Sequence, residues 1–405
     1  MKKRAWRAVL ALMMGAALAA CGSTGGNNAS QSGGSPSEQA ARESKAGEDT
    51  MKDAKEFRIG GSGPLTGGAA SYGNSVKNGA AIAIDEINAA GGVKAGKDTY
   101  KLVLDFQDDE ASEDKAVTAY NNLMDAKMNV FMGAVTSGST LAVTDLTNKD
   151  NILQLTPSGS AASITQNPNV FRLCFTDPMQ GQKIAEYVLD QGFESVAVLY
   201  NNSDEYSTGI YQAFKLGLED LGRPDLLVSE QSFQNDDVDF TTQLTQIKQS
   251  GAKLLFVPAY YEAAAYIVQQ AKQNGLDTAF VGSDGWDGVL AQVTDKSTVE
   301  GAVFLSPFLA TDESAKSFTD AYQKQFGAVP DQFAADGYDC VYVIKAAMEK
   351  AGSIDTDALI QAMTKIEVEG LTGKVSFTPE GEPNKQAKFV TITDGKYELF
   401  ELDEE

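Results

Sequence analysis

The chain has 405 residues, 42% of them hydrophobic, with 56 acidic against 33 basic side chains and a net charge of −23. That length and apolar content support two or more domains with real cores, while the acidic excess sets aside nucleic acid and anionic membrane surfaces as partners, because both repel it. No histidine occurs, which removes Ser-His-Asp and Cys-His catalysis and any histidine-ligated zinc. The three cysteines, Cys21, Cys174 and Cys340, have no metal-ligand spacing, so neither a metal nor a cofactor is expected. Cys174 and Cys340 read as two buried thiols, with a disulfide as the alternative.

The first predicted element is a leader. Lys2, Lys3, Arg4 and Arg7 precede the apolar run AVLALMMGAALAA, too short for a stable span and right for the core of an export signal. The run ends in Leu18-Ala19-Ala20-Cys21, which resembles the lipobox of bacterial lipoproteins. That resemblance implies removal of residues 1–20 and lipid attachment at Cys21. Residues 21–55 are rich in Gly, Ser and Asn and read as a flexible tether spanning about 30 Å. The expected location is extracytoplasmic, lipid-anchored to the outer face of the bacterial cell membrane or on its periplasmic side.

From Phe57 onward, apolar strand-like runs alternate with helical patterns. The runs are FRIGG, YKLVLDF, NVFMGA, ILQLTP, VFRLCF, SVAVLY, LLVSEQSF, AKLLFVPAYY, TAFVGSD and VEGAVFLSP. Strands that alternate with helices of 10–15 residues argue for parallel sheets covered by helices on both faces. The strands are too many for one compact sheet, so two α/β lobes are expected. Helical patterns at about 313–326, 332–351 and 355–366 follow, then the strand-like runs GKVSF, KFVTIT and YELFEL. A chain that ends with helices for one lobe and strands for the other crosses between lobes more than once, and such crossings act as a hinge.

The loops at the strand ends carry the chemistry. Gly61 to Gly73, GSGPLTGGAASYG, lies between a strand and a helix but is no phosphate loop. The third position of G-x-G-x-x-G is Thr66, Pro64 stiffens the turn, and no Gly-Lys-Ser/Thr follows. It ends instead on Tyr72 among small residues. Ser137 opens a helix after NVFMGA, and Ser158-Gly159-Ser160 follow ILQLTP. Hydroxyls and N–H groups at helix starts cap the helix or hold a carboxylate. From the second half come Tyr206, Tyr260, Tyr261, Asp284 and Trp286. Ligands of open α/β sheets sit beyond the carboxyl ends of the strands, so these loops point to one cleft. Hydroxyls and N–H groups suit a carboxylate, Asp284 an ammonium, and the aromatic rings an apolar side chain; a zwitterionic amino acid meets all three.

The segments GPLTGGAASYGNSVKNGAAIAIDEINAAGG, GAVTSGST, ILQLTPSGSAASIT, DEYSTG, PAYYEAAAYIVQQAKQNG and FVGSDGWDG together resemble the leucine/isoleucine/valine-binding proteins of ABC importers, with the type I periplasmic binding fold. The resemblance spans roughly residues 56–400. It implies an α/β fold of two lobes, each a mostly parallel sheet flanked by helices, joined by a three-segment hinge. On that basis the first lobe is expected at 56–175 and 309–367 and the second at 176–308 and 368–405. It also implies capture of an amino acid, branched-chain acids first, delivery to a membrane permease, a monomeric chain and no catalysis. Carried over by position, Ser137 and Ser160 hold the carboxylate and part of the ammonium, and Tyr72 lines the first-lobe wall. Tyr206 and one of Tyr260 or Tyr261 close from the second lobe, and Asp284 pairs with the ammonium. Trp286 is expected to fill the side-chain pocket, with Phe333 a weaker candidate. The family's first-lobe disulfide is not matched, since Thr136 stands where it places a cysteine. A sensing module of the same fold for amides, peptides or aromatic acids is the alternative. A hydrolase built on acid pairs such as Asp236-Asp237 is the remoter one, since such runs usually sit on solvated faces.

Overall fold

The computed structural model describes residue 51 and residues 53–401. The expected leader, the lipid site Cys21 and nearly all of the expected tether lie outside these residues. No helix among the described residues is long and apolar enough to cross a membrane.

The chain opens with β1 (Lys55–Gly63), α1 (Ala70–Ala89), β2 (Val93–Ala95), β3 (Asp98–Asp108), α2 (Glu113–Asp125), β4 (Val130–Met132), α3 (Ser137–Lys149), β5 (Gln154–Thr156) and β6 (Val170–Arg172). These strands form one sheet in the order β2-β3-β1-β4-β5-β6. All neighbours are parallel except the short β2, which runs antiparallel to β3. Then follow α4 (Asp177–Asp190), β7 (Val196–Asn201), α5 (Glu205–Asp220), β8 (Leu227–Phe233), α6 (Thr241–Ser250), β9 (Leu254–Val257), α7 (Tyr261–Gln273), β10 (Ala279–Gly282), the short α8 (Val289–Gln292) and β11 (Val303–Ser306). The chain next adds α9 (Lys316–Phe326), α10 (Gln332–Ala351), α11 (Thr356–Met363), the hairpin β12 (Val368–Gly370) and β13 (Gly373–Val375), and finally β14 (Lys388–Thr393) and β15 (Lys396–Leu399). The second sheet is β15-β14-β11-β10-β9-β7-β8, parallel from β8 to β11 and closed at one edge by the antiparallel pair β14 and β15.

Local chemistry explains the boundaries. In α1 the buried Tyr72, Val76, Ala80, Ala83, Ile84 and Ile87 recur at helical spacing, and Gly91 and Gly92 take positive φ just beyond its end. Thr176 caps α4 by accepting from Met179 N–H, with a proline in the first turn. Asp331 caps α10 in the same way, through Ala334 N–H at 2.9 Å.

The late helices return to the first sheet. α10 packs along α1, and the two backbones touch: a Cβ on Gly79 would meet the carbonyl of Ala334, and one on Gly337 the backbone of Val76. β14 and β15 return to the second sheet, so the chain passes between the two sheets three times, after β6, after β11 and after β13. The β12–β13 hairpin departs from the expected second-lobe segment that starts at 368. It packs on α10, where the Asp339 carboxylate accepts from the N–H groups of Leu371 (2.8 Å) and Thr372 (2.9 Å). The buried acid needs those donors, and they hold the hairpin to the first lobe.

Cys174 and Cys340 are free and buried. Burial pushes both thiols well above the usual range, which marks them as packing residues with little nucleophilic character.

Candidate functional site

The loops at the carboxyl ends of both sheets meet across one narrow cleft. Tyr72, Val135, Thr136, Ser158 and Phe333 line it from the first lobe, and Tyr206, Tyr260, Asp284 and Gly285 from the second. The enclosed space is about 10 Å³, roughly the room of one water molecule, so the lobes stand closed on each other. The Tyr72 hydroxyl spans the cleft, donating to Gly285 O at 2.5 Å and accepting from Tyr261 N–H at 3.0 Å. Ser71 N–H reaches the Tyr261 hydroxyl at 3.0 Å, and Gln332 Nε2 donates to Asp284 O at 2.6 Å.

The second-lobe wall is acidic and aromatic. Asp284 begins a single 3-10 turn after β10 and is buried. Its Oδ1 accepts from the Tyr206 hydroxyl at 2.5 Å, and that same hydroxyl oxygen accepts from Gly285 N–H at 2.8 Å. Burial pushes the Asp284 carboxyl up to about 6, against the pull of the bond from Tyr206. The Tyr206 and Tyr260 rings stack at 4.8 Å between centroids, 13° from parallel. Burial and the nearby acids hold both phenols protonated, well above their usual range.

The first-lobe wall is built from donors. Ser137, the first residue of α3, accepts at its Oγ from Ser160 N–H (3.1 Å) and Ala161 N–H (3.2 Å). Ser158 Oγ donates to Val135 O at 2.6 Å, and Gly159 N–H donates to Thr156 Oγ1 at 2.9 Å. Behind this loop lies Arg172, fully buried. Its Nη1 donates to Ala161 O at 2.9 Å and Gly159 O at 3.4 Å, and its Nη2 to Glu382 Oε1 at 3.0 Å. The guanidinium fork fits several acceptors at once, and it holds the carbonyls of Gly159 and Ala161. Among the described residues, Thr136 Oγ1, both carboxylate oxygens of Asp177 and Gln180 Nε2 are buried without a protein partner, which is unusual for interior polar atoms.

Five of the ten residues expected at the site line the cleft: Tyr72, Ser158, Tyr206, Tyr260 and Asp284. The structure brings the other five close but gives them other work. Ser137 and Ser160 are buried and tie the two first-lobe loops together. The Gly159 carbonyl faces Arg172 and the Cys174 thiol. Tyr261 packs edge-on against Tyr72 at 4.8 Å. Trp286 corrects the expectation most clearly. It is fully buried, its indole N–H donates to Val257 O at 2.8 Å, and its ring lies where a Cβ on Gly282 would be. A 3-10 turn advances three residues per turn, so a residue two places after Asp284 faces another way. Phe333, the weaker candidate, does line the cleft, 4.1 Å from the Tyr72 ring.

With this geometry in view, the comparisons with known proteins are decisive. The sequence profile of a family described as "Periplasmic binding protein" matches residues 56–396. The chain belongs to the periplasmic binding protein family. Its match to the Leu/Ile/Val-binding protein homolog 3 of Brucella melitensis is 29% identical over 75% of this chain and 82% of the relative. The Leu/Ile/Val-binding protein BraC3 of Rhizobium johnstonii is also 29% identical, over 82% and 90%. Among solved structures, the branched-chain amino acid transporter substrate-binding protein LivJ of Streptococcus pneumoniae, in complex with isoleucine, is 30% identical. It covers 85% of this chain and 98% of its own with a TM-score of 0.79. The two-lobed α/β architecture of periplasmic binding proteins is therefore that of this chain.

Reading the sequence missed Arg172, Gln180 and Gln332, whose roles in this periplasmic binding protein depend on long-range neighbours. A signal for Arg172 was available: an arginine inside the apolar run VFRLCF must find several acceptors if the strand is buried.

Proposed function

We propose that this periplasmic binding protein captures an amino acid, branched-chain acids first, between its lobes and hands it to the membrane permease of an ABC importer. The observation that carries the reading is the polarity of the cleft. A buried acid held by Tyr206 shares the cleft with a first-lobe wall that carries the Ser158 hydroxyl and the unpartnered Thr136 hydroxyl. The first lobe suits the carboxylate of a zwitterion and the second its ammonium, while Tyr72, Tyr260 and Phe333 supply apolar surface for the side chain. The closed space is too small for an amino acid, so the three interlobe segments open first. The Tyr72–Gly285 bond then gives way to ligand contacts, and closure re-forms a dry site in which charge-assisted bonds are strong. The likeness to two Leu/Ile/Val-binding proteins and to LivJ in complex with isoleucine supports an aliphatic side chain.

The remainder of the proposal rests on sequence. Cys21 carries a lipid, residues 21–55 tether the binding body on the outer side of the membrane, the chain acts as a monomer, and it catalyses no reaction. Isothermal titration of the full chain, shown free of carried-over ligand, tests the central claim. Leucine, isoleucine and valine are expected to bind at micromolar concentration or better, and glutamate and lysine not at all. Absence of heat with all three aliphatic acids overturns the reading.

A further inference from the structure

The α10 helix of the first lobe starts where the two lobes meet. The first N–H groups of a helix have no partner within it. Asp331 takes one of them, accepting from Ala334 N–H at 2.9 Å. The N–H of Gln332, the first residue of α10, is taken from the other lobe: Asp287 Oδ2 accepts from it at 2.8 Å. The Gln332 side chain makes a second crossing, donating from Nε2 to Asp284 O at 2.6 Å. One first-lobe residue thus grips both ends of the 284–287 turn, which carries the buried acid of the amino-acid cleft.

Both sides of this contact are firmly backed. α10 packs backbone to backbone on α1 at Gly79 and Gly337. In the second lobe the Tyr397 hydroxyl accepts from Gly288 N–H at 3.0 Å, the Trp286 indole donates to Val257 O at 2.8 Å, and Asp284 N–H donates to Gln180 Oε1 at 3.0 Å. Gln332 and Asp287 are 1% and 4% exposed, and hydrogen bonds shielded from water in this way are electrostatically stronger. Both residues stand beside the cleft rather than in its lining, so a captured ligand leaves their bonds in place.

We propose that Gln332 and Asp287 form an interlobe latch that holds the lobes closed and positions the Asp284 turn, and so sets how long a captured amino acid is retained. The effect on retention rests on the proposed capture function. The latch itself does not, because its bonds join protein to protein and form whether or not the cleft is filled. Its partners belong to different lobes, so opening breaks both bonds together. A contact made only in the closed form slows opening and escape, and gives no help to the first encounter of a ligand with the open cleft.

Two measurements on the full chain test the latch. Without ligand, hydrogen exchange read by mass spectrometry follows opening at Ser71 N–H and Tyr261 N–H. Each donates across the cleft at 3.0 Å, to the hydroxyls of Tyr261 and Tyr72, and the substitutions touch neither. Asp287→Ala and Gln332→Met are each expected to speed this exchange about fivefold or more. With leucine, stopped-flow dissociation is expected to be about tenfold faster in Asp287→Ala and about fivefold faster in Gln332→Met, with no slowing of association. A general loss of stability would lower the melting temperature without separating dissociation from association. Gln332→Met keeps the side-chain volume and covers the case in which Asp287→Ala does not fold. Asp287→Asn keeps an oxygen for Gln332 N–H and should recover most of the retention lost in Asp287→Ala. Unchanged exchange in both variants, slower association with unchanged dissociation, or escape from Asp287→Asn as fast as from Asp287→Ala each overturns the latch. A wild type that binds no leucine overturns the capture function instead, and the exchange measurement then decides the latch by itself.

Discussion

The two walls of the cleft are built from opposite materials. The first-lobe wall consists of short side chains and backbone N–H groups drawn taut by Arg172 from behind, and carries no acid of its own among the cleft-lining residues. The second-lobe wall holds a buried acid, Asp284, whose main partner is a phenol from another element, Tyr206. One wall gets its character from backbone geometry, the other from a pair of side chains. Side-chain substitutions should therefore silence the second wall easily, while the first should yield mainly to the loss of its support.

The largest expected effect is on the acidic wall. Asp284→Ala should weaken leucine binding by about 3–5 kcal/mol, at least a hundredfold, because a buried ammonium would lose its counter-charge. Titration calorimetry reads the loss, and circular dichroism should show the fold retained. Near wild-type affinity would remove Asp284 from the site. Next comes the scaffold of the other wall. Arg172→Met takes the guanidinium donor from the carbonyls of the 159–162 loop and from Glu382, leaving the Cys174 thiol on Gly159 O and the Thr165 hydroxyl on Glu382, and should cost about 3 kcal/mol of unfolding free energy in a urea titration. An unchanged midpoint would show that the loop holds its shape without the guanidinium.

A pH series separates the walls without mutation. Asp284 is raised to about 6 by burial, so leucine affinity should fall about tenfold between pH 7.5 and pH 5 as its proton returns. Stability of the free protein should move the other way. Asp109, Asp204, Asp284 and Asp331 are all raised to about 6 by burial. A raised acid binds its proton more tightly when folded, so its contribution is complete below about pH 4 and lost as pH rises through 6. The melting temperature without ligand should therefore climb on going from pH 7.5 to pH 5, while the leucine-induced shift shrinks. Acids that are lowered, such as Asp98 beside Lys55, lie at the surface, where screening leaves them little weight. The smallest effect is expected from Tyr206→Phe. It removes the hydrogen bond to Asp284 and the acceptor of Gly285 N–H and should cost about 1–2 kcal/mol of affinity, read by the same calorimetry. A loss as large as that of Asp284→Ala would make the phenol, rather than the acid, the main anchor.

Much of this molecule is legible along the chain. The alternation of apolar runs with 3.6-period patterns determines two mostly parallel sheets with helical cover, because hydrophobic periods are local properties, and Gly91, Gly327 and Gly352 stand at positive φ just past α1, α9 and α10. The loops at the strand ends were equally visible, since open α/β sheets leave them at one edge. Which residue of a loop faces the cleft was decided only by tertiary structure. Asp284 turns in and Trp286 turns back over Gly282, two residues apart on one tight turn. Tyr260 lines the cleft while its neighbour Tyr261 packs on Tyr72. The hairpin at 368–375 joins the first lobe because Asp339, far back in the chain, offers it an acceptor. Arg172 and Gln332 draw their meaning from partners more than ten and forty residues away. Periodicity specifies the elements because each residue's helical or strand phase depends on its near neighbours. Orientation within a loop depends on which distant donor, acceptor or ring arrives beside it, and that is settled only when the lobes come together.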